Sequence, residues 1–136
     1  MENIPHELKV KKIFARYGVR FAYLFGSRAT GKGKIAGSDY DIAVFFGART
    51  PSTRFDMRLK LMDELQGIFA PARVDLIVLD DTRSATLRYE VANTGQLIYE
   101  EDADARIEFE FRVTHEYEDF APFLAAYNKM YIGLGV

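Results

Sequence analysis

The sequence predicts a single domain in which helices flank a small central β-sheet, of the α+β or α/β class. Segments with the apolar period of helices alternate with short apolar runs typical of strands, in the order α-β-β-α-β-α-β-α. The chain of 136 residues is long enough for one domain with a real core. Its composition, with 49% hydrophobic and 28% charged residues, is ordinary for a globular protein.

Local signals mark where these elements begin and end. Pro5 suits the first turn of a helix, and Gly18 is typical of a helix end. Ser52 or Thr53 is expected to cap the second helix, and Gly95 to end the third. The predicted helices cover residues 5–17, 53–69, 82–93 and 104–131, and the predicted strands cover residues 19–25, 39–46, 73–79 and 96–100.

Apolar residues at spacings of three and four predict which helix faces are buried. In the long last helix we expect Phe109, Tyr117 and Phe120 to lie mostly in the core and the glutamates to point outward. Pro122 lacks an amide hydrogen and is expected to kink or break this helix near Ala121. The stripes are Phe55, Leu59, Met62, Leu65 and Phe69 in the second helix, and Phe109, Val113, Tyr117, Phe120, Leu124, Tyr127 and Tyr131 in the last.

Composition argues against several classes of function. The chain has no cysteine, so it has no disulfide and no thiolate metal site. Only two histidines, His6 and His115, are available as imidazoles, which disfavours a zinc enzyme or a Ser-His-Asp hydrolase. No apolar run approaches the roughly 18 residues of a membrane span, and the first residues lack the pattern of a secretory signal. We therefore expect a cytoplasmic protein without a membrane partner.

The net charge of −2 is unevenly distributed. Residues 1–99 hold 15 basic and 11 acidic residues, whereas residues 100–136 hold 3 basic and 9 acidic residues. A basic body suits an anionic ligand and an acidic end suits a basic partner, although acidic side chains can also simply solvate a helix face. Because no basic stripe with interleaved aromatic residues is present, stable binding of nucleic acid is not expected.

Two aspartates at the start of the second strand are the first candidates for chemistry. Asp39 and Asp41 are two residues apart, so in a strand their carboxylates point to the same face. Two adjacent anions repel unless a positive group lies between them, and a hard cation such as Mg²⁺ prefers carboxylate oxygens. The pattern alone is also compatible with two surface aspartates on an edge strand.

Two further features favour a nucleotide site. Asp75 interrupts an otherwise apolar strand, where a buried carboxylate is costly unless it is paired or bound to metal. It completes a cluster of three carboxylates if its strand neighbours the second one. Gly26 and Ser27 follow the first strand, where a glycine lets backbone amides approach a phosphate and the hydroxyl adds a donor. Together these residues predict a site for a nucleoside triphosphate with two metal ions.

The same loop nearly matches a P-loop, but the match is incomplete. Gly26, Gly31 and Lys32 fit the pattern G-x-x-x-x-G-K-[ST], whereas Gly33 stands where the hydroxyl that holds Mg²⁺ is required. The aspartates also follow too closely for a sheet of that kind. The loop therefore does not predict a P-loop enzyme.

The combination of Gly26-Ser27, the segment Ser38-Asp39-Tyr40-Asp41 and the later Asp75 resembles the nucleotidyltransferase superfamily related to DNA polymerase β. The small size resembles the minimal nucleotidyltransferases, or MNT proteins, and the likeness extends from about residue 19 through most of the chain. It implies the α+β fold of that superfamily, with a small mixed sheet and a long C-terminal helix. The family usually has ten residues between the serine and the first aspartate, whereas in this chain residues 28–38 make eleven.

The resemblance also implies an activity, which is transfer of AMP from ATP to an acceptor hydroxyl. Asp39 and Asp41 would hold two Mg²⁺ ions, and Asp75 would hold the catalytic one and could accept the acceptor's proton. Gly26 and Ser27 would grip the β- and γ-phosphates. The nucleotide-binding residues predicted in this way are Gly26, Ser27, Arg28, Lys32 and Ser38.

The partner implied by the resemblance is a HEPN-type RNase toxin. The chain would act as the antitoxin of a type VII-like pair, attach AMP to a tyrosine of the toxin and form a hetero-oligomer with it. Residues 1–100 would form the catalytic body, and residues 101–136 a helical segment that contacts the partner. Two alternatives stay open, namely an antitoxin that neutralises by binding only and a transferase of the aminoglycoside-modifying kind that acts on a small molecule.

Overall fold

The computed structural model describes residues 4–26 and 39–132 of the chain. Within these residues no helix is long and apolar enough to cross a membrane. The described helices are α1 (Glu7–Arg16), α2 (Pro51–Phe69), α3 (Ala85–Thr94) and α4 (Ala103–Tyr127), and the strands are β1 (Phe21–Phe25), β2 (Tyr40–Phe45), β3 (Val74–Val78) and β4 (Gln96–Glu100). A 3₁₀ turn (Leu79–Asp81) follows β3, and a π-helical turn (Asn128–Ile132) follows α4.

The four strands form one mixed sheet in the order β3-β2-β1-β4. β1 pairs antiparallel with β2 on one side and with β4 on the other, and β2 pairs parallel with β3. Because both pairing directions occur in one sheet and helices flank it, the predicted α+β class with a small mixed sheet is confirmed. The parallel pair at one end brings together two strand starts that are more than 30 residues apart in the chain.

Two hydrophobic clusters lie on the two faces of the sheet. On one face, α1 and α2 pack their buried side chains against alternate residues of β2 and β3. On the other face, α3 and α4 pack against the aromatic side of β1, which carries Phe21, Tyr23 and Phe25. The helix residues buried on the first face are Val10, Ile13, Phe14, Leu61, Leu65 and Phe69, and those on the second are Val91, Phe109 and Val113.

The boundaries of α2 differ from the prediction. The helix begins at Pro51, and its cap is Thr50, whose hydroxyl accepts the backbone N–H of Thr53 at 3.2 Å. A proline suits the first helical position because its missing N–H is not needed there. Phe55 and Leu59 are exposed although they belong to the predicted stripe, because the helix buries its apolar face only from its middle onward.

In the last helix only the first half is buried. Phe109 and Val113 are almost fully buried, and Tyr117 stacks on Tyr89 with ring centroids 4.0 Å apart. The predicted burial of Phe120 was wrong, since this side chain is exposed. Periodicity places Phe120 on the same face as Phe109 but carries no information on how far the sheet extends beneath the helix. The helix also continues through Pro122 to Tyr127, so it is not broken near the proline.

The prediction that the glutamates of this helix point outward was also wrong for two of them. Glu110 accepts hydrogen bonds from the Tyr23 hydroxyl and from Arg106, and Glu116 pairs with Arg88 of α3. A buried tyrosine hydroxyl needs a partner, and the carboxylate of the facing helix supplies it. Burial and this carboxylate raise the pKa of Tyr23 far above its ordinary value, so the hydroxyl remains protonated.

Asp80 links the turn that follows β3 to the end of β2 through hydrogen bonds. Its two carboxylate oxygens accept the backbone N–H groups of Phe46 at 3.0 Å and Gly47 at 2.9 Å. Burial raises the pKa of this carboxyl, and the two N–H donors oppose that effect. Replacing Asp80 with alanine removes both acceptors, and we expect the free energy of unfolding to fall by about 2–4 kcal/mol, measured by urea denaturation.

The neighbouring Asp81 provides the matched control for this change. Its carboxylate pairs with Arg54 at 2.7 Å, but the pair is largely open to solvent on the aspartate side. We expect Asp81→Ala to cost about 1 kcal/mol, less than the change at Asp80, because the aspartate is solvated and Arg54 keeps its hydrogen bond to the carbonyl of Arg49. Equal losses in the free energy of unfolding for the two variants would contradict the proposed contribution of the Asp80 hydrogen bonds.

Candidate active site

Two of the predicted carboxylates are neighbours on adjacent strands. Asp41 of β2 and Asp75 of β3 are register partners in the parallel pair. Side chains of register partners lie on the same face of a sheet, about 5 Å apart at the backbone. The neighbouring residues Ile42 and Leu76 point to the opposite face, where they belong to the first hydrophobic cluster. Asp75 is therefore turned to the same side as Asp41, as the sequence predicted.

The third carboxylate, Asp39, directly precedes β2 and acts on Asp41 electrostatically. Burial raises the pKa of Asp41 above its ordinary value of 3.8, and the carboxylates of Asp75 and then Asp39 raise it further. These are the effects of like charges held near one another in a partly desolvated place. The structure thus brings the three aspartates into one electrostatic neighbourhood at the start of the parallel strands.

Gly26 lies directly after β1, next to the carboxylate of Asp41. The last residue of β1, Phe25, pairs with Asp41, and Gly26 follows it with a φ of +74°. A Cβ built on Gly26 would stand 2.4 Å from Oδ2 of Asp41, so any side chain there would require this carboxylate to move. Both the backbone conformation and the close approach require glycine at this position.

The burial predicted for Asp75 was wrong. Asp75 was expected to be buried among apolar residues, whereas its side chain is exposed, as is that of Asp39. The strand buries Val74 and Leu76 on the face covered by α2, whereas none of the residues that the structure describes covers the side chain of Asp75 on the opposite face. The carboxylate of Asp75 is therefore available to a ligand without a burial cost.

The donor set fits a hard divalent cation, because it consists of carboxylate oxygens whose mutual repulsion a cation relieves. Within residues 4–26 and 39–132, however, no three His, Cys, Asp or Glu side chains stand in an arrangement that could hold a metal ion. Asp41 and Asp75 share a face and Asp39 acts on Asp41 electrostatically, but the three carboxylates do not converge on one point, so a bound ion would have to draw them together. Asp39, Asp41 and Asp75 are the residues that would hold the ion.

Four predicted site residues lie outside the described residues. They are Ser27, Arg28, Lys32 and Ser38. Their proposed contacts with the nucleotide remain predictions from the sequence.

One neighbour of the site was not singled out by the sequence. Phe25 pairs directly with Asp41 and is half-buried beside the second hydrophobic cluster, so its side chain lies on the same face of the sheet as the carboxylate of Asp41. The alternation of apolar residues in β1 predicts only which face of the sheet Phe25 lies on. Its place opposite Asp41 depends on how β1 pairs with β2. A sequence signal for it would require knowing that β1 and β2 form an antiparallel pair in this register.

The sequence model of the family described as "Polymerase beta, Nucleotidyltransferase" matches residues 8–104, which is more than half of the chain. No curated protein matches the sequence.

Several solved structures share the fold. A toxin–antitoxin structure with AMP-PNP is 24% identical, with a TM-score of 0.68 over 89% of this chain and 94% of the other. The MntA–HepT toxin–antitoxin is 23% identical, with a TM-score of 0.62 over 88% and 91%. A tri-AMPylated Shewanella oneidensis HEPN toxin in complex with its MNT antitoxin gives 24% identity and a TM-score of 0.61 over 88% and 90%.

Proposed function

Because the chain belongs to the polymerase β nucleotidyltransferase family, we propose that it transfers AMP from ATP to a tyrosine hydroxyl of a HEPN-type toxin and acts as the antitoxin of that toxin. The predicted nucleotidyltransferase class is confirmed by the family match. The nucleotide, the acceptor, the Mg²⁺ dependence and the partner are parts of the proposal.

The pairing of Asp41 with Asp75 carries this proposal. Two carboxylates held side by side, a third that acts on Asp41 and a glycine packed against Asp41 form an anionic cluster beside a tight backbone bend. Anionic side chains bind a triphosphate only through cations, and Mg²⁺ is the ion suited to both. When bound, Mg²⁺ would neutralise phosphate charge and lower the pKa of a coordinated hydroxyl.

The residues of the chain would then perform three tasks. Asp39 and Asp41 would hold the metal-bound triphosphate, and Gly26 would leave space for its approach. The acceptor oxygen forms a bond to the α-phosphorus, and the bond from that phosphorus to the oxygen of the leaving pyrophosphate breaks. The exposed carboxylate of Asp75 would take up the proton of the acceptor hydroxyl.

The partner is proposed from two observations. The likeness to antitoxin structures covers about nine-tenths of this chain, and one of those complexes contains an AMPylated HEPN toxin. In addition, residues 100–136 carry 9 acidic and 3 basic residues, which favours a basic protein partner. The chain would form a hetero-oligomer with the toxin.

A second candidate, neutralisation by binding alone, is favoured by one specific observation. Asp39 and Asp75 are exposed, so three aspartates that bind no cation destabilise the fold less than three buried aspartates would. Retention of these residues is therefore compatible with a binding-only antitoxin, and only a transfer assay separates the two functions.

If the proposal is right, a gene for a small HEPN-type protein stands beside the gene of this chain. We expect the purified chain to move label from ATP labelled at the α-phosphate onto that protein in the presence of Mg²⁺, and to lose the reaction with EDTA. γ-Labelled ATP is the control and should leave the acceptor unlabelled. Labelling by the γ-phosphate would show a kinase instead. Neutralisation of the toxin without any labelling would reject transfer and favour binding alone.

A further inference from the structure

The apolar stripe of α4 divides into a covered half and an uncovered half. Phe109 and Val113 are 3% and 2% exposed, whereas no side chain of residues 118–131, which we call the aromatic segment, is buried. Phe123 is 73% exposed and Tyr131 is 70% exposed. A helix that stays apolar where nothing covers it is typical of an interaction surface.

The uncovered side chains continue the face that packs on the sheet. From Val113 to Tyr131 the stripe advances by steps of four, three, four, three and four residues, which keeps it on one side of the helix. The rings of Tyr127 and Tyr131 lie 4.8 Å apart, as expected for neighbours on one face. Phe123 and Met130 flank this line and are both exposed, so they widen it.

This spacing indicates the kind of element that fits the aromatic segment. Alternating steps of three and four are the heptad pattern of a helix that packs along another helix at a small angle. A strand would instead need residues at alternate positions. The expected occupant is therefore an α-helix with an apolar stripe of its own.

The outer edge of β3 does not offer a competing docking site. Alternate residues of β3 direct their backbone N–H and C=O groups away from β2. Three of these groups form hydrogen bonds with side chains. The N–H of Val74 donates to Gln66 at 3.0 Å, Arg58 donates to the carbonyl of Leu76 at 3.2 Å, and Thr82 donates to the carbonyl of Val78 at 2.9 Å. Edges satisfied in this way do not recruit a further strand.

The other edge strand is protected by an irregularity. In β4 the register shifts, because Ala22 pairs with Tyr99 while Tyr23 pairs with Leu97, which leaves Ile98 as an extra residue. A bulge of this kind twists an edge strand away from further pairing. Neither sheet edge therefore competes with the aromatic segment as a docking surface.

We infer that the aromatic segment docks on an apolar helix of the partner protein, within a basic surface. This inference rests on the proposed function for the identity of the partner. Charge favours the partner over a second copy, because residues 100–136, the part of the chain that carries the segment, hold 9 acidic and 3 basic residues and two such parts repel. The segment itself contributes Glu118, Asp119 and Lys129, and most of the negative charge lies in the preceding residues 100–116. The interface uses the outer continuation of the core stripe and leaves the opposite face of α4 free.

The test replaces two exposed rings with charges. We expect Phe123→Glu combined with Tyr127→Glu to weaken binding of the HEPN-type protein at least about thirtyfold in calorimetric titration, because buried aromatic residues dominate interface energies. Thermal stability should not change, since both side chains are exposed. The control is Phe111→Glu, at a side chain that is 66% exposed in the covered half of the helix, and it should bind as the wild type does.

The outcomes separate this inference from the proposed function. Wild-type affinity in the double variant would overturn the docking surface and leave the transferase proposal intact. A wild-type chain that does not bind the HEPN-type protein would overturn both. If the wild type alone is a dimer and the double variant is a monomer that still binds the partner, the occupant is a second copy and the inference is wrong.

The absence of cysteine allows a second test of the helical occupant. A single cysteine introduced as Tyr127→Cys and labelled with benzophenone should crosslink to partner residues spaced three and four apart. Crosslinks at alternate residues would indicate a strand and contradict the inference.

Discussion

Replacing Asp41 with asparagine is expected to reduce AMP transfer at least about a hundredfold, because even residues that only support a metal ligand cost ten- to a hundredfold when they are changed. Asn keeps the shape of the side chain but loses the charge that would hold the cation. Initial rates of label transfer with saturating ATP and Mg²⁺ measure the loss. Asp63→Asn, at an exposed aspartate of α2, is the matched control and should retain full activity. Transfer that survives in the Asp41 variant would reject the proposed site.

The same variant should be more stable than the wild type when no metal is present. The pKa of Asp41 is raised in the folded chain, so its ionisation is less favourable there than in the unfolded chain. The contribution of Asp41 to stability is therefore lost as the pH rises from the ordinary value near 3.8 through the raised pKa, and this loss is absent from the asparagine variant. We expect a higher melting temperature for the variant at pH 7 in EDTA, and a smaller difference near pH 3.

Magnesium should reverse that order. Because the ion would bind only the folded wild type, it should raise the melting temperature of that protein with the logarithm of the Mg²⁺ concentration above the dissociation constant, and leave the asparagine variant unchanged. Equal responses of the two proteins to Mg²⁺ would place the metal elsewhere.

Much of the fold could be predicted because the local signals agree with one another. The apolar run of β4 is predicted at the residues observed, Gln96–Glu100, since strand propensity and the glycine before it point to one boundary. The start of α2 was misplaced because Ser52 and Thr53 are good caps by type. The actual cap, Thr50, is identified only by the proline that follows it.

The geometry of the candidate site could be predicted only in part. The face of Asp41 follows from alternation, but its pairing with Asp75 depends on which strands are neighbours, and the sequence does not encode that locally. The prediction that Asp75 is buried was wrong for a related reason. An apolar strand is buried on both faces only if helices cover both, and none of the described residues covers Asp75 on the second face of β3. The glutamates that turn inward, Glu110 and Glu116, likewise depend on which polar groups the sheet and α3 present to α4.

Replacing Gly26 with alanine is expected to inactivate the protein through Asp41. The φ of +74° costs a residue with a Cβ about 1–2 kcal/mol. The new methyl group would also stand 2.4 Å from Oδ2 of Asp41 and 3.2 Å from its Cγ, so the carboxylate must rotate away. We expect transfer to fall at least about tenfold, with a loss of about 1–3 kcal/mol in the free energy of unfolding.

Gly67 provides a control for the effect of a glycine-to-alanine change away from the site. It lies inside α2 with nothing within 4 Å of an added Cβ, so Gly67→Ala should stabilise the fold by about 0.5–1 kcal/mol and leave transfer unchanged. A double-mutant cycle then isolates the contact with the carboxylate. In an Asp41→Ala background the methyl group that Gly26→Ala adds meets no carboxylate oxygen, so only the cost of the backbone conformation should remain. If Gly26→Ala destabilises both backgrounds equally, the glycine serves the turn alone and does not shape the carboxylate site.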